Sequence, residues 1–149
     1  MAQLNYKKIE KIINTFIHEN IDEELVVKKG VDFDYYYGSD VITYTLTENK
    51  RMDKLFMDFS IEEGLTVNCS VFLLSLFHEI GHYMTFDDLE EEDFAYSCDV
   101  KALLGTTDDD VKIYFRLPIE IAATEWAINY INEHPTEIST LEKAINKLF

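Results

Sequence analysis

The chain has 149 residues, 47% of them hydrophobic, with 13 basic against 29 acidic side chains and a formal net charge of -16. That size fits one domain, residues 1–149, able to bury its own core. The charge argues against direct nucleic-acid binding, since a phosphate backbone repels such a surface, and the longest apolar run, "VFLLSLF" at 71–77, is too short to cross a membrane.

In chain order, residues 3–18 place Leu4, Ile9, Ile12, Ile13 and Phe16 at helical spacing with lysines opposite, the pattern of an amphipathic helix. The N-terminus carries no apolar signal core, and Cys69 and Cys98 match no disulfide framework, so the expected location is cytoplasmic. From residue 31 the period changes. "VDFDYYY" (31–37) and "DVITYTL" (40–46) alternate as strands, paired across the turn "GSD" (38–40), and "KLFMDFSI" (54–61) alternates again. These three predict a small antiparallel meander.

The remainder reads as helix. Asn68 is the expected N-cap of a helix running through Met84, and Asp87 that of a second helix to about Leu104, ended by Gly105. Segment 106–117 shows no clear pattern. Pro118 opens a third helix, "PIEIAATEWAINYI", and Pro135 precedes a closing amphipathic one. The expected fold is therefore α+β, with about three strands packed against four to five helices.

The chemistry concentrates in "HEIGH" (78–82). Residues four apart lie one above the other on a helix, so His78 and His82 present two imidazoles side by side, a bidentate grip on zinc. Glu79 flanks that face, where it can take a proton from a water activated by the ion. Two unliganded histidines late in so apolar a helix would carry a desolvation cost, and Gly81 forgoes about 1 kcal/mol of helix propensity, as if something approaches closely there.

A catalytic zinc usually has three protein ligands, and the other histidines, His18 and His134, read as surface or capping residues. The third ligand is then a carboxylate of the helix from Pro118, either Glu120 or Glu125. Glu120 is preferred, because it shares its face with the small residues Ala123, Thr124 and Ala127, which permit a close approach to the motif helix.

"HEIGHY" followed by "LPIEIAATEWAINYI" resembles the ImmA/IrrE-type metallopeptidases, particularly short forms encoded by phages and mobile elements. In that family a glutamate opens a motif of the form E-x-x-A-x-x-aromatic-A, and Glu120, Ala123, Trp126 and Ala127 fill those places. The resemblance implies a zincin-like domain with His78, His82 and Glu120 as zinc ligands and Glu79 as general base. It also implies proteolysis of an intracellular protein, in the best-known members a DNA-binding repressor. Where the family often carries an acidic residue two places after the ligand glutamate and Asn or Asp four places after it, this chain has Ala122 and Thr124.

Zinc peptidases also need a group for the developing oxyanion; Tyr83, Tyr114 and Arg116 lie near the motifs in sequence. By the same resemblance, 40–47 or 54–61 would supply the sheet edge that binds substrate as an added strand. A competing reading is an acidic interaction protein that keeps zinc for structure and blocks a basic DNA-binding partner without cutting it. Its surface would be the acidic run "DDLEEED" (87–93).

Overall fold

The computed structural model describes residues 2–148, with side chains from residue 6 onward, so Leu4 of the predicted apolar face lies outside the described residues. Helix α1 (Ala2–Asn20) buries Ile9, Ile13 and Ile17 completely or nearly so, with Ile12 and Phe16 partly buried at its flank. Strands β1 (Val26–Lys29), β2 (Asp34–Tyr35) and β3 (Val41–Tyr44) follow, in the spatial order β1-β3-β2. Helices α2 (Lys50–Glu62), α3 (Val71–Thr85), α4 (Glu91–Leu103), α5 (Asp108–Phe115), α6 (Pro118–Glu133) and α7 (Pro135–Asn146) complete the chain. The architecture is α+β, a small three-stranded sheet packed against helices.

The hairpin across 38–40 is present: β2 and β3 pair antiparallel, with Asp34 opposite Thr43 and Tyr35 opposite Ile42. Gly38 turns the chain at a φ of 79°, a backbone region that favours glycine. The third strand, however, is not 54–61. It is β1, which pairs parallel to β3 from Val26–Val41 to Lys29–Tyr44. Segment 54–61 lies within α2 because its apolar residues satisfy a helical face as well as an alternating one. The Asn49 side chain accepts the Met52 amide at 3.3 Å as N-cap, Lys54 pairs with Asp58 one turn on, and Phe59 is buried against Phe115 of α5. A short alternating run flanked by a cap and helix-forming residues goes to the helix.

Other boundaries move for similar reasons. Ser70, not Asn68, caps α3, its hydroxyl accepting the Leu73 amide at 3.2 Å. Asp87 lies in a single 3-10 turn (Phe86–Asp88), and α4 begins only at Glu91. The unassigned stretch 106–117 contains α5, capped by Thr107. The core lies between α1, the sheet, α3, α6 and α7, and α3 supplies its centre: Leu73, Leu74, Leu76, Phe77 and Ile80 are all buried.

Candidate metal centre

Helices α3 and α6 run antiparallel at very close range. Residues 78, 81 and 82 of α3 meet 124, 123 and 120 of α6. A Cβ on Gly81 would overlap the carbonyl oxygen of Ala123 and stand 2.9 Å from its carbonyl carbon. Glycine on one helix and alanine on the other are what allow this approach. The closeness expected at Gly81 is thus an approach of backbone.

That contact brings the polar side chains together. The Nε2 atoms of His78 and His82 each lie 3.1 Å from the same oxygen, Oε1 of Glu120. Their rings are 4.6 Å apart, as one helical turn requires. On its other side, His78 Nδ1 is hydrogen-bonded to Thr124 Oγ1 at 3.0 Å, and Phe56 packs edge-on against the ring. Glu79 Oε2 lies 3.8 Å from His78 Nε2. All four of His78, Glu79, His82 and Glu120 are buried, Glu120 to 1% exposure.

Glu120 reaches this position through the start of α6. Pro118 occupies the first helical turn, and the buried Ser97 of α4 caps the helix from outside by accepting the Ile119 amide at 3.2 Å. Glu120 follows directly. Glu125, the alternative carboxylate, is exposed on the opposite side of α6 and does not approach the histidines.

Electrostatics separate the two carboxylates. Burial raises the proton affinity of both. For Glu120 the hydrogen bonds and charges of His78 and His82 outweigh burial and hold its carboxyl well below the usual range. For Glu79 burial wins over the opposing charge of His78, with a lesser contribution from the Glu120 charge, and its pKa is pushed up to about 7. One carboxylate is committed to its charge and the other is poised near neutrality.

The ligand atoms of His78, Glu79 and His82 all lie within 4.8 Å of one another, so this buried group could hold a metal ion. Two observations bear on the fit. Among the described residues, the buried atoms His82 Nδ1 and Glu120 Oε2 have no hydrogen-bond partner. Ligand atoms around a tetrahedral ion at about 2.1 Å stand about 3.4 Å apart. The 3.1 Å separations of Glu120 Oε1 from both Nε2 atoms come near that figure.

Of the candidates for an oxyanion group, Tyr83 donates to Asp22 at 3.0 Å and Arg116 pairs with Glu63 at 3.2 Å, both away from the cluster. Tyr114 does face it. Burial, then the charge of Glu120 and the approach of the phenol to that carboxylate, then the charge of Glu79, push its phenol well above the ordinary value. Tyr37, which sequence reasoning missed, stands edge-on to the His82 ring at 5.9 Å, and its phenol is raised by burial and the same two carboxylates. No sequence pattern marks Tyr37, because a loop after β2 carries it to α3. His18 and His134 are structural: their ring nitrogens bond the carbonyls of Leu25 and Tyr130, each at 2.8 Å. Neither segment expected to offer a substrate-binding edge does so, since β3 is the central strand and 54–61 is helical.

Among the described residues no helix is long and apolar enough to cross a membrane. No protein-family model, no curated protein and no solved structure matches the chain.

Proposed function

We propose that this chain is a zinc-dependent metallo-endopeptidase, with His78, His82 and Glu120 as ligands and Glu79 as general base. The carrying observation is the single Glu120 oxygen placed 3.1 Å from both histidine Nε2 atoms, with the Glu79 carboxylate beside them. Bound between those atoms, zinc would polarise a substrate carbonyl and lower the pKa of a water from about 15.7 to about 7. His78 and His82 present Nε2 to the ion, and Thr124 fixes the His78 ring by accepting from Nδ1. Glu79, beside the histidines, would take the proton from the attacking water and return it to the leaving amine. Tyr114 and Tyr37, held as neutral phenols, are donors for the oxygen that gains charge in the transition state.

The resemblance to ImmA/IrrE-type peptidases supports the same reading and extends it to an intracellular protein substrate, such as a basic DNA-binding regulator. The test is incubation of cell extract with the zinc-loaded protein beside Glu79→Gln, followed by mapping of new peptide termini. New termini that depend on Glu79 are expected. Identical termini with both proteins would refute the assignment.

The acidic surface favours a second reading. Asp87, Asp88, Glu90, Glu91, Glu92 and Asp93 are all exposed, in a chain of net charge -16. On this reading the protein keeps zinc for structure and occludes a basic DNA-binding partner. Partner inactivation that survives Glu79→Gln with zinc still bound would select it.

A further inference from the structure

A cavity of about 190 Å³ opens beside the proposed centre, walled by His78, Glu79 and Tyr114. It shares Phe33, Met52, Asp53 and Ser75 with a larger cavity of about 490 Å³, which continues between the 45–49 loop, the first turns of α2 and α3, and the end of α7. The two spaces adjoin at these four residues, so the hollowed surface runs from Glu79 to the end of α7 as a groove in two parts.

Its chemistry is one-sided. Neither part is lined by a lysine or arginine, while carboxylates of Asp32, Glu48, Asp53 and Glu142 line the larger part. Glu142 is already engaged, accepting the Ser70 amide at 2.6 Å. Asp53 stands at the junction, half-buried in the first turn of α2, and forms no ion pair among the described residues. Burial raises its carboxyl above the ordinary range, against a smaller opposing effect of the Asn49 backbone. A half-buried carboxylate with no counter-ion among the described residues, flanked by Phe33 and Met52, suits a long cationic side chain: the methylenes lie on the apolar wall and the charge meets the acid.

We propose that this groove holds the substrate polypeptide on one side of the cut and that Asp53 selects a lysine or arginine there. The inference rests on the peptidase reading and names the substrate feature that reading leaves open. The smaller cavity has room for little more than one long side chain, so the selected residue lies close to the scissile bond.

Two arms test it. In the first, wild type, Asp53→Asn and Asp53→Lys, all zinc-loaded, act on a peptide library made with a glutamate-specific protease, which leaves lysine and arginine internal. Glu133→Gln, an exposed acid at the end of α6, controls for net charge. Lysine and arginine enriched about fivefold to tenfold at one position near the cut are expected for wild type and Glu133→Gln. Asp53→Asn should flatten that preference, and Asp53→Lys should turn it towards acids. Cleavage with no basic preference, or with one that Asp53→Asn leaves intact, overturns the groove while the peptidase reading stands.

In the second arm the same library is captured on immobilised, zinc-loaded Glu79→Gln protein, with and without Asp53→Asn. Enrichment of basic peptides that requires Asp53 supports the groove even if no turnover is found, in which case only the peptidase reading fails. Equal capture by both proteins overturns the groove.

Discussion

Replacing Gly81 by alanine should weaken metal binding at the cluster while barely changing the fold. Alanine by itself favours a helix over glycine by about 1 kcal/mol, so an isolated α3 would gain stability. At this position the added Cβ would stand 2.9 Å from the Ala123 carbonyl carbon and 3.0 Å from its Cα, and would overlap the carbonyl oxygen. Carbon atoms rest at about 3.5 Å or more, so the backbones must part by about 0.5–1 Å. Overpacking of this kind costs about 1–3 kcal/mol, which leaves a net loss between roughly zero and 2 kcal/mol. The site is less forgiving, because metal–ligand distances tolerate about 0.2 Å. Withdrawing α6 moves Glu120 away from His78 and His82 by several times that tolerance. Zinc affinity, measured by competition with a chromogenic chelator, should fall by at least about tenfold, with a smaller effect on the urea midpoint of the metal-free protein. A Gly81→Ala protein that is about 1 kcal/mol more stable and binds zinc as tightly as wild type would refute the reasoning.

Thr124→Ala removes the partner of His78 Nδ1 and should weaken zinc binding about 10- to 100-fold, whereas Thr124→Ser should retain it; chelator competition on the three proteins decides. Ser97→Ala leaves the Ile119 amide without its acceptor and should lower unfolding free energy by about 1–2 kcal/mol in denaturant titration, with reduced zinc affinity because Glu120 is the next residue. Glu79 gives the metal-free protein a pH dependence: its folded pKa, pushed up from 4.5 to about 7, means that the folded state holds a proton the unfolded state has released, so stability is full below 4.5 and declines as pH rises through 7. The loss amounts to about 3 kcal/mol over that window. Comparison with Glu79→Gln, which should lack this component of the slope, isolates it by urea titration at several pH values.

Much of this site is local in the sequence. The four-residue spacing of His78 and His82, the flanking Glu79 and the small face around Glu120 are each set within one helix, and helical geometry alone orders them. The choice of Glu120 over Glu125 rests on Ala123, Thr124 and Ala127, and the structure buries those residues against α3 while leaving Glu125 in solvent. What escapes local reading is whatever depends on two segments meeting. Strand β1 has four residues and only Val27 buried, too little alternation to announce itself, and it exists because β3 lies beside it. Segment 54–61 satisfies both periods, and its packing on α5 decides between them. Tyr37 is one of three consecutive tyrosines, and only the path of the hairpin shows which one reaches His82.

The pattern of satisfied and orphaned atoms in the cluster bears on why it exists at all. A pair of core histidines held only by hydrogen bonds would do best with an acceptor each. Here both Nε2 atoms converge on one oxygen, while Glu120 Oε2 and His82 Nδ1 are buried without hydrogen-bond partners among the described residues. Each such orphan costs about 1–3 kcal/mol, against a net stability of about 5–15 kcal/mol for a domain, and apolar residues of similar volume would remove the penalty. Gly81 adds its own loss of propensity. Three neighbouring features each lower stability, and they share one geometric result: a nitrogen from each histidine and an oxygen from Glu120 aimed at a common point. A cation there would convert the convergence from a liability into folding free energy. It follows that a chelator should lower the unfolding midpoint of zinc-loaded wild type and leave that of the His78→Ala, His82→Ala double variant unchanged. Equal chelator sensitivity of the two proteins would mean that the convergence serves packing alone.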